Sequence, residues 1–205
     1  MAEDKKPAQS DTKTDATGKP TAGAPTMNST ALETQATASG TPGNALNPSQ
    51  LMLQDLRGRQ PAWISEVVDA HGEVTIILPR EAIVEACEFL KTAQGLEFNF
   101  LTDICGVDRG VEEEPRFEVN YHLLSTTKYH RLRLKVLLTE EDIHVPTVTG
   151  VWRTANWHER ETFDMFGVIF DGHPDLRRIL LPDEWQGHAL RKDFPLRGYE
   201  PYSIN

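Results

Sequence analysis

The densest run of groups able to do chemistry is Trp157-His158-Glu159-Arg160-Glu161-Thr162-Phe163-Asp164-Met165-Phe166-Gly167. On a helix Glu161 and Asp164 lie one turn apart, and paired carboxylates can act as general acid and base. With Glu159, His158 and His173 they could also ligate a metal ion. The same residues can instead form an ion-pair and capping network, with Arg160 and Asp164 at i,i+4 spacing. Two features favour the network: an arginine stands among the acids, and no HExxH spacing is present.

Downstream, His173-Pro174, Arg177-Arg178 and Arg191-Lys192-Asp193 could grip a phosphate or a carboxylate. The favoured alternative is that they anchor a protein interface, where arginine is enriched and lysine depleted. His188 and the remaining histidines are scattered and read as structural. The absences are informative. No GxGxxG follows a strand and no GxxxxGK[ST] occurs, so neither a dinucleotide nor a triphosphate has its usual cradle. No GxSxG elbow is present. Cys87 and Cys105 cannot supply four thiolates to an iron–sulfur cluster.

The elements that must position these residues follow from periodicity. Asn47-Pro48 reads as an N-cap and first helical residue, opening a helix to about Gly58 with Leu53 and Leu56 on its apolar face. Trp63–Val68 and Val74–Leu78 are two strands around the turn Ala70-His71-Gly72-Glu73. Arg80–Ala93 has helical spacing, with Ile83, Val84, Cys87 and Leu90 on one stripe and Gly95 as the stop. Leu96–Cys105 is a third strand and Gly106–Pro115 a charged loop. Phe117–Leu124 and Leu132–Leu138 alternate strictly, each with one buried face. Asn156 caps a later helix, with Glu159 completing a capping box, and Gly167 ends it. This order predicts an α+β domain with a mixed or antiparallel sheet of four to five strands.

Three regions follow. Residues 1–46 contain no Phe, Trp, Tyr, Val or Ile and are expected to be a disordered tail. Residues 47–150 form the α+β domain. Residues 151–205 hold the acidic helix and an arm punctuated by Pro174, Pro182, Pro195 and Pro201, yet rich in Leu, Ile, Phe, Tyr and Trp185. Such an arm is too apolar for a disordered tail and too interrupted for a regular element, so it is expected to lie along another protein. The net charge of −10 argues against a nucleic-acid groove. No segment approaches the roughly 20 apolar residues that span a bilayer, and no apolar secretory segment opens the chain. A cytoplasmic chain with ordinary buried thiols is expected.

The run Glu159-Arg160-Glu161-x-x-Asp164-Met165-Phe166, then His173 and Arg177-Arg178-Ile179-Leu180, resembles the signature of the 30-kilodalton subunit, or C subunit, of proton-pumping NADH:quinone oxidoreductase, respiratory complex I. Leu181-Pro182-Asp183-Glu184-Trp185-Gln186-Gly187-His188 and Leu190-Arg191-Lys192-Asp193-Phe194-Pro195 agree with it. Ala189 departs from it, standing where that family usually has proline. The resemblance implies membership of an oxidoreductase complex with no catalytic centre, cofactor or metal on this chain itself. FMN and iron–sulfur clusters are expected in other subunits. The arm is expected to embrace the D subunit, with the B and I subunits nearby, in a hetero-oligomer peripheral to the cytoplasmic face of the inner membrane. Glu159, Arg160, Glu161, Asp164, His173, Arg177, Arg178, Trp185, Arg191, Lys192 and Asp193 are the interface candidates. Equivalent subunits serve related ferredoxin-, deazaflavin- and hydrogenase-linked complexes. A small metalloenzyme and a free-standing binding domain are the readings from other classes.

Overall fold

The computed structural model describes residues 48–59 and 61–199. The expected disordered tail and the Asn47 cap lie outside them. Helix α1 (Pro48–Arg59) buries Met52, Leu53 and Leu56. Strands β1 (Glu66–Ala70) and β2 (Glu73–Ile77) pair antiparallel around His71 and Gly72, whose φ values of 55° and 80° match the right-handed twist of a tight hairpin. A short 3-10 turn (Arg80–Ala82) leads into α2 (Ile83–Thr92), which buries Ile83, Ala86, Cys87 and Leu90 on one stripe. Burial pushes the Cys87 thiol well up, so this group is core and not a nucleophile.

Strands β3 (Phe100–Asp108), β4 (Phe117–Leu124) and β5 (Arg131–Leu138) complete a five-stranded mixed sheet of order β1-β2-β5-β4-β3. Only the β2–β5 pair is parallel in that sheet. The register pairs Val119 with Val136 and Tyr121 with Leu134, so the apolar rows of β4 and β5 share one face. That face packs on Leu56, Ile83, Leu90 and Phe98. The opposite face carries Lys135 and Glu118 in an ion pair at 2.7 Å, and Arg133 and Glu73 in another at 2.7 Å.

Three expectations shift, the first being strand β1, which covers Glu66–Ala70 and not Trp63–Val68 because Trp63 serves the core from ahead of the strand. The third strand begins at Phe100, not Leu96, and runs on through Gly106 to Asp108. Leu96 and Phe98 are fully buried but sit in the connection, so apolar content alone pointed to a strand too early. A second, two-stranded parallel sheet was not anticipated: β6 (His144–Pro146) and β7 (Ile169–Asp171) are three residues each, too short to show a period. Between them runs α3 (Ala155–Phe166), ended by Gly167 in the left-handed conformation at φ 78°.

Candidate docking site

Helix α3 lies against β3. Thr162 donates its hydroxyl to the Ile104 carbonyl at 3.2 Å, and His158 meets Asp103 at 3.2 Å. Gly106 makes room for Phe166: a Cβ there would fall 2.5 Å from the Phe166 ring. The helix turns Glu159, Arg160, Thr162 and Asp164 inward, all buried. Four charged or polar side chains on an inward face must each find partners within the chain.

Asp164 finds its partners in the arm. One carboxylate oxygen accepts the backbone N–H groups of Ile179, Leu180 and Leu181 at 3.1, 2.8 and 2.9 Å; the other accepts Arg178 at 2.7 Å. Burial opposes the Asp164 charge, but the Leu181 N–H, Arg178 and the Leu180 and Ile179 N–H groups outweigh it and hold the carboxyl below the usual carboxylate range. Arg160 reaches the same strip of backbone from the other side, donating to the Arg177 and Arg178 carbonyls at 3.1 and 2.9 Å. The expected Arg160–Asp164 pair is therefore not made. Each side chain bonds the arm, because backbone groups there would otherwise be left without partners.

The arm returns to finish the helix. The last carbonyls of an α-helix lack intrahelical partners. Here Gly167 N–H serves Phe163, His188 Nδ1 serves Asp164, Leu190 N–H serves Met165 and Arg191 Nε serves Phe166, at 2.8, 3.0, 3.1 and 2.7 Å. Arg178 and Arg191 also place cations where the helix dipole is negative. Gly167 is required twice: its φ suits glycine, and a Cβ would fall 2.6 Å from both His188 and Arg191.

A second clasp holds the end of the arm. Arg116, 1% exposed, bonds both oxygens of Asp108 at 3.0 and 2.8 Å, Glu140 at 2.6 Å and Asp193 at 2.9 Å. Asp108 also accepts the Lys192 N–H at 2.8 Å and the Gly110 N–H at 2.9 Å. Burial works against its charge, yet Arg116 and those two N–H groups bring its carboxyl down to about 2. Arg116 and Arg191 stack on the Phe117 ring at 4.8 and 5.0 Å from its centroid.

Glu159 does not complete a capping box with Asn156. The helix starts at Ala155, and the carboxylate instead accepts the Val148 N–H at 2.8 Å and the Thr147 hydroxyl, fixing the turn after β6. Burial pushes its carboxyl up to about 7 against those two bonds. His173 Nδ1 accepts the Asp175 N–H at 3.0 Å, which leaves Nε2 as the donor to the Asn156 carbonyl at 3.3 Å. Burial, ahead of nearby Arg160, lowers the His173 pKa, so the ring is a neutral clamp between α3 and the arm.

The candidates thus divide. Glu159, Arg160, Asp164, His173, Arg178, Arg191 and Asp193 lock the chain to itself. Glu161 is exposed and makes no ion pair among the described residues. Arg177, 67% exposed, pairs with Asp175 beside it, and Lys192 contributes its backbone while its side chain faces out. Trp185 stacks on Phe194, centroids 6.2 Å apart. Asp108, Arg116 and Glu140 were missed. Arg116 sits immediately before an alternating strand, and nothing in its spacing tells a buried arginine from an exposed one. Among the described residues no three His, Cys, Asp or Glu side chains gather as metal ligands.

The apolar side chains of the arm behave differently from its backbone. From Asp171 to Tyr199 no residue is buried. Leu180, Leu190 and Leu196 are 61%, 54% and 103% exposed. The arm is expected to lie along another protein that covers its apolar residues; its backbone is held by its own domain. Leu180, Leu190 and Leu196 are what stay uncovered, whereas Leu176 packs against the core.

This fold recurs in solved structures. One is described as Nqo5, the trypsin-resistant fragment 1–134; it is 34% identical with a TM-score of 0.52, covering 63% of this chain and all of that one. Another, from the membrane-bound sulfane sulfur reductase, an archaeal respiratory membrane complex, has a TM-score of 0.61 at 21% identity and speaks to fold alone. The matching family and relatives define the class, a subunit of an oxidoreductase complex. The family description "Respiratory-chain NADH dehydrogenase, 30 Kd subunit" matches residues 76–200. The NADH-quinone oxidoreductase C 2 subunit of Rhizobium meliloti (strain 1021) is 59% identical over 131 residues, covering 64% of this chain and 71% of that one. The NADH-quinone oxidoreductase C subunit of Roseiflexus sp. (strain RS-1) is 49% identical over 149 residues, covering 73% and 85%. The chain belongs to the 30-kilodalton subunit family of respiratory-chain NADH dehydrogenase.

Proposed function

We propose that this chain is a non-catalytic docking subunit of the peripheral arm of a proton-translocating NADH:quinone oxidoreductase. Its own arm lies on the D subunit, with the B and I subunits nearby, at the cytoplasmic face of the inner membrane. FMN and the iron–sulfur clusters belong to other subunits. The observation that carries this reading is the division of labour in the arm: its backbone is pinned by Asp164, Arg160, Asp108 and the end of α3, while Leu180, Leu190 and Leu196 point outward. A pinned, apolar, outward-facing strip is a preorganised interface, because little ordering entropy remains to be lost on binding. Glu161, Arg177 and the Lys192 side chain are assigned to partner contacts, with Trp185 at the rim. The physical contribution is positional: a rigid support keeps a neighbouring quinone site within the tolerance that electron transfer and chemistry require.

The test is to purify the tagged chain from membranes of cells expressing it from its own locus and to identify the co-purifying subunits by mass spectrometry. The D subunit together with flavin-bearing NADH-oxidising subunits is expected. Recovery with hydrogenase- or ferredoxin-type partners would move the chain to a related complex, and recovery alone would overturn the docking reading.

A further inference from the structure

Most of the arm lies at the C-terminal end of α3; at the N-terminal end only its start, His173 and Pro174, comes close. Two clefts meet there and share Gly150 and Arg153. One is walled by Thr149, Asn156, Trp157 and Pro174, the other by Lys91, Asn99, Phe100 and Trp152. Neither wall contains an aspartate or a glutamate, in a chain with 31 acids against 21 bases. Arg153 is exposed, and its guanidinium makes no ion pair among the described residues. Lys91 gives one N–H to the Val151 carbonyl and lies 5.9 Å from the Trp152 ring centroid, which leaves two of its three donors for an outside group. Trp157 and Phe100, 60% and 46% exposed, flank the cations. Trp152, only 5% exposed, has an indole N–H with no acceptor among the described residues. Buried donors in that condition are uncommon. Helix α3 has no acid in its first turn and no side-chain cap from Thr154, so its positive end is left without a carboxylate from its own first turn.

We propose that this surface receives an acidic segment of a neighbouring subunit. A carboxylate of that segment meets Arg153 and Lys91, and an adjoining apolar side chain covers Trp157 or Phe100. The inference rests on the docking reading above and adds a second contact, at the other end of α3 from Leu180, Leu190 and Leu196. Charge complementarity selects the sign of the partner. The exposed aromatic area selects a polypeptide over a phosphate-bearing ligand, since a phosphate would use the two cations and leave both rings in water.

The test uses the full chain in the assembled complex. A photo-crosslinking amino acid in place of Asn156 is expected to link to another subunit within a segment of net negative charge. Arg153→Glu should lower the yield of that crosslink by about tenfold or more, and Arg153→Lys should retain most of it. The Arg153 guanidinium holds no ion pair among the described residues, so both variants should keep the parent's thermal midpoint. A crosslink to lipid, to a segment without acidic residues, or one whose yield is the same in Arg153→Glu overturns the proposal. If Arg153→Glu gives the parent crosslink while the chain still co-purifies with the D subunit, this second contact fails and the docking reading stands. If the unaltered chain co-purifies with no other polypeptide of the complex, both fall.

Discussion

Asp164 and Glu159 lie five positions apart on one helix and are both fully buried, yet their carboxyls move in opposite directions. The difference is the number of donors. Asp164 meets three backbone N–H groups and an arginine, whereas Glu159 meets one N–H and one hydroxyl. Asp164→Ala should therefore cost about 2–4 kcal/mol, since it strands three N–H groups and the Arg178 charge. Denaturant unfolding measures the loss, and limited proteolysis should cut within 176–194 first. Glu159 predicts a pH effect. Its folded pKa of about 7 lies above the ordinary 4.5. Between those values the folded state holds a proton that the unfolded state has released, so this contribution to stability falls as pH rises through that window. Relative to Glu159→Gln, the parent should lose about 3 kcal/mol between pH 4.5 and pH 8. Equal pH slopes for the two proteins would refute the assignment. In the sequence, these residues stood out by type and spacing, but their partners did not. Asp164 bonds residues 14 to 17 positions away, and helical spacing suggested Arg160 instead. No local rule reports a bond made across a returning arm.

At the scale of elements, α3 is completed by residues from outside it. Gly167→Ala should displace His188 and Arg191 from the helix end. We expect a loss of about 1–2 kcal/mol, together with faster amide exchange at Leu190, whose N–H bonds the Met165 carbonyl. Exchange at Leu190 unchanged from the parent would show that the arm does not depend on this contact. The long strands β4 and β5 were legible because apolar residues at every second position form one buried row, while most of the other row is half-buried and polar. The stripe on α2 was legible for the same reason at period 3.6. The start of β3 was not, since Leu96 and Phe98 serve the core from a connection. Nor were β6 and β7, whose pairing joins segments 25 residues apart and is set by the packing of Val145 and Phe170 into the core, not by local propensity.

For the whole molecule, the two adjacent arginines of the arm have different duties. Arg178 is tied to Asp164 and to the Gly187 carbonyl, whereas the Arg177 side chain pairs with its near neighbour Asp175. Arg178→Glu should loosen the isolated chain. Arg177→Glu should leave its thermal midpoint within about 1 °C, in keeping with the small worth of exposed ion pairs, and lower incorporation into the complex. The α+β class and a mixed or antiparallel sheet of four to five strands were readable from the order of elements, and the sheet has five. That the arm is held by its own domain was not, because an apolar, proline-broken sequence looks the same whether its backbone or its side chains make the contacts. The central claim is that the backbone of this arm belongs to the chain and its exposed leucines, Leu180, Leu190 and Leu196, belong to a partner. Replacing Leu180, Leu190 and Leu196 together by serine tests it most directly, with the unfolding midpoint of the purified chain and its incorporation on a native gel read side by side. The account predicts an unchanged midpoint and lost incorporation. A lowered midpoint, or incorporation equal to the parent's, would contradict it.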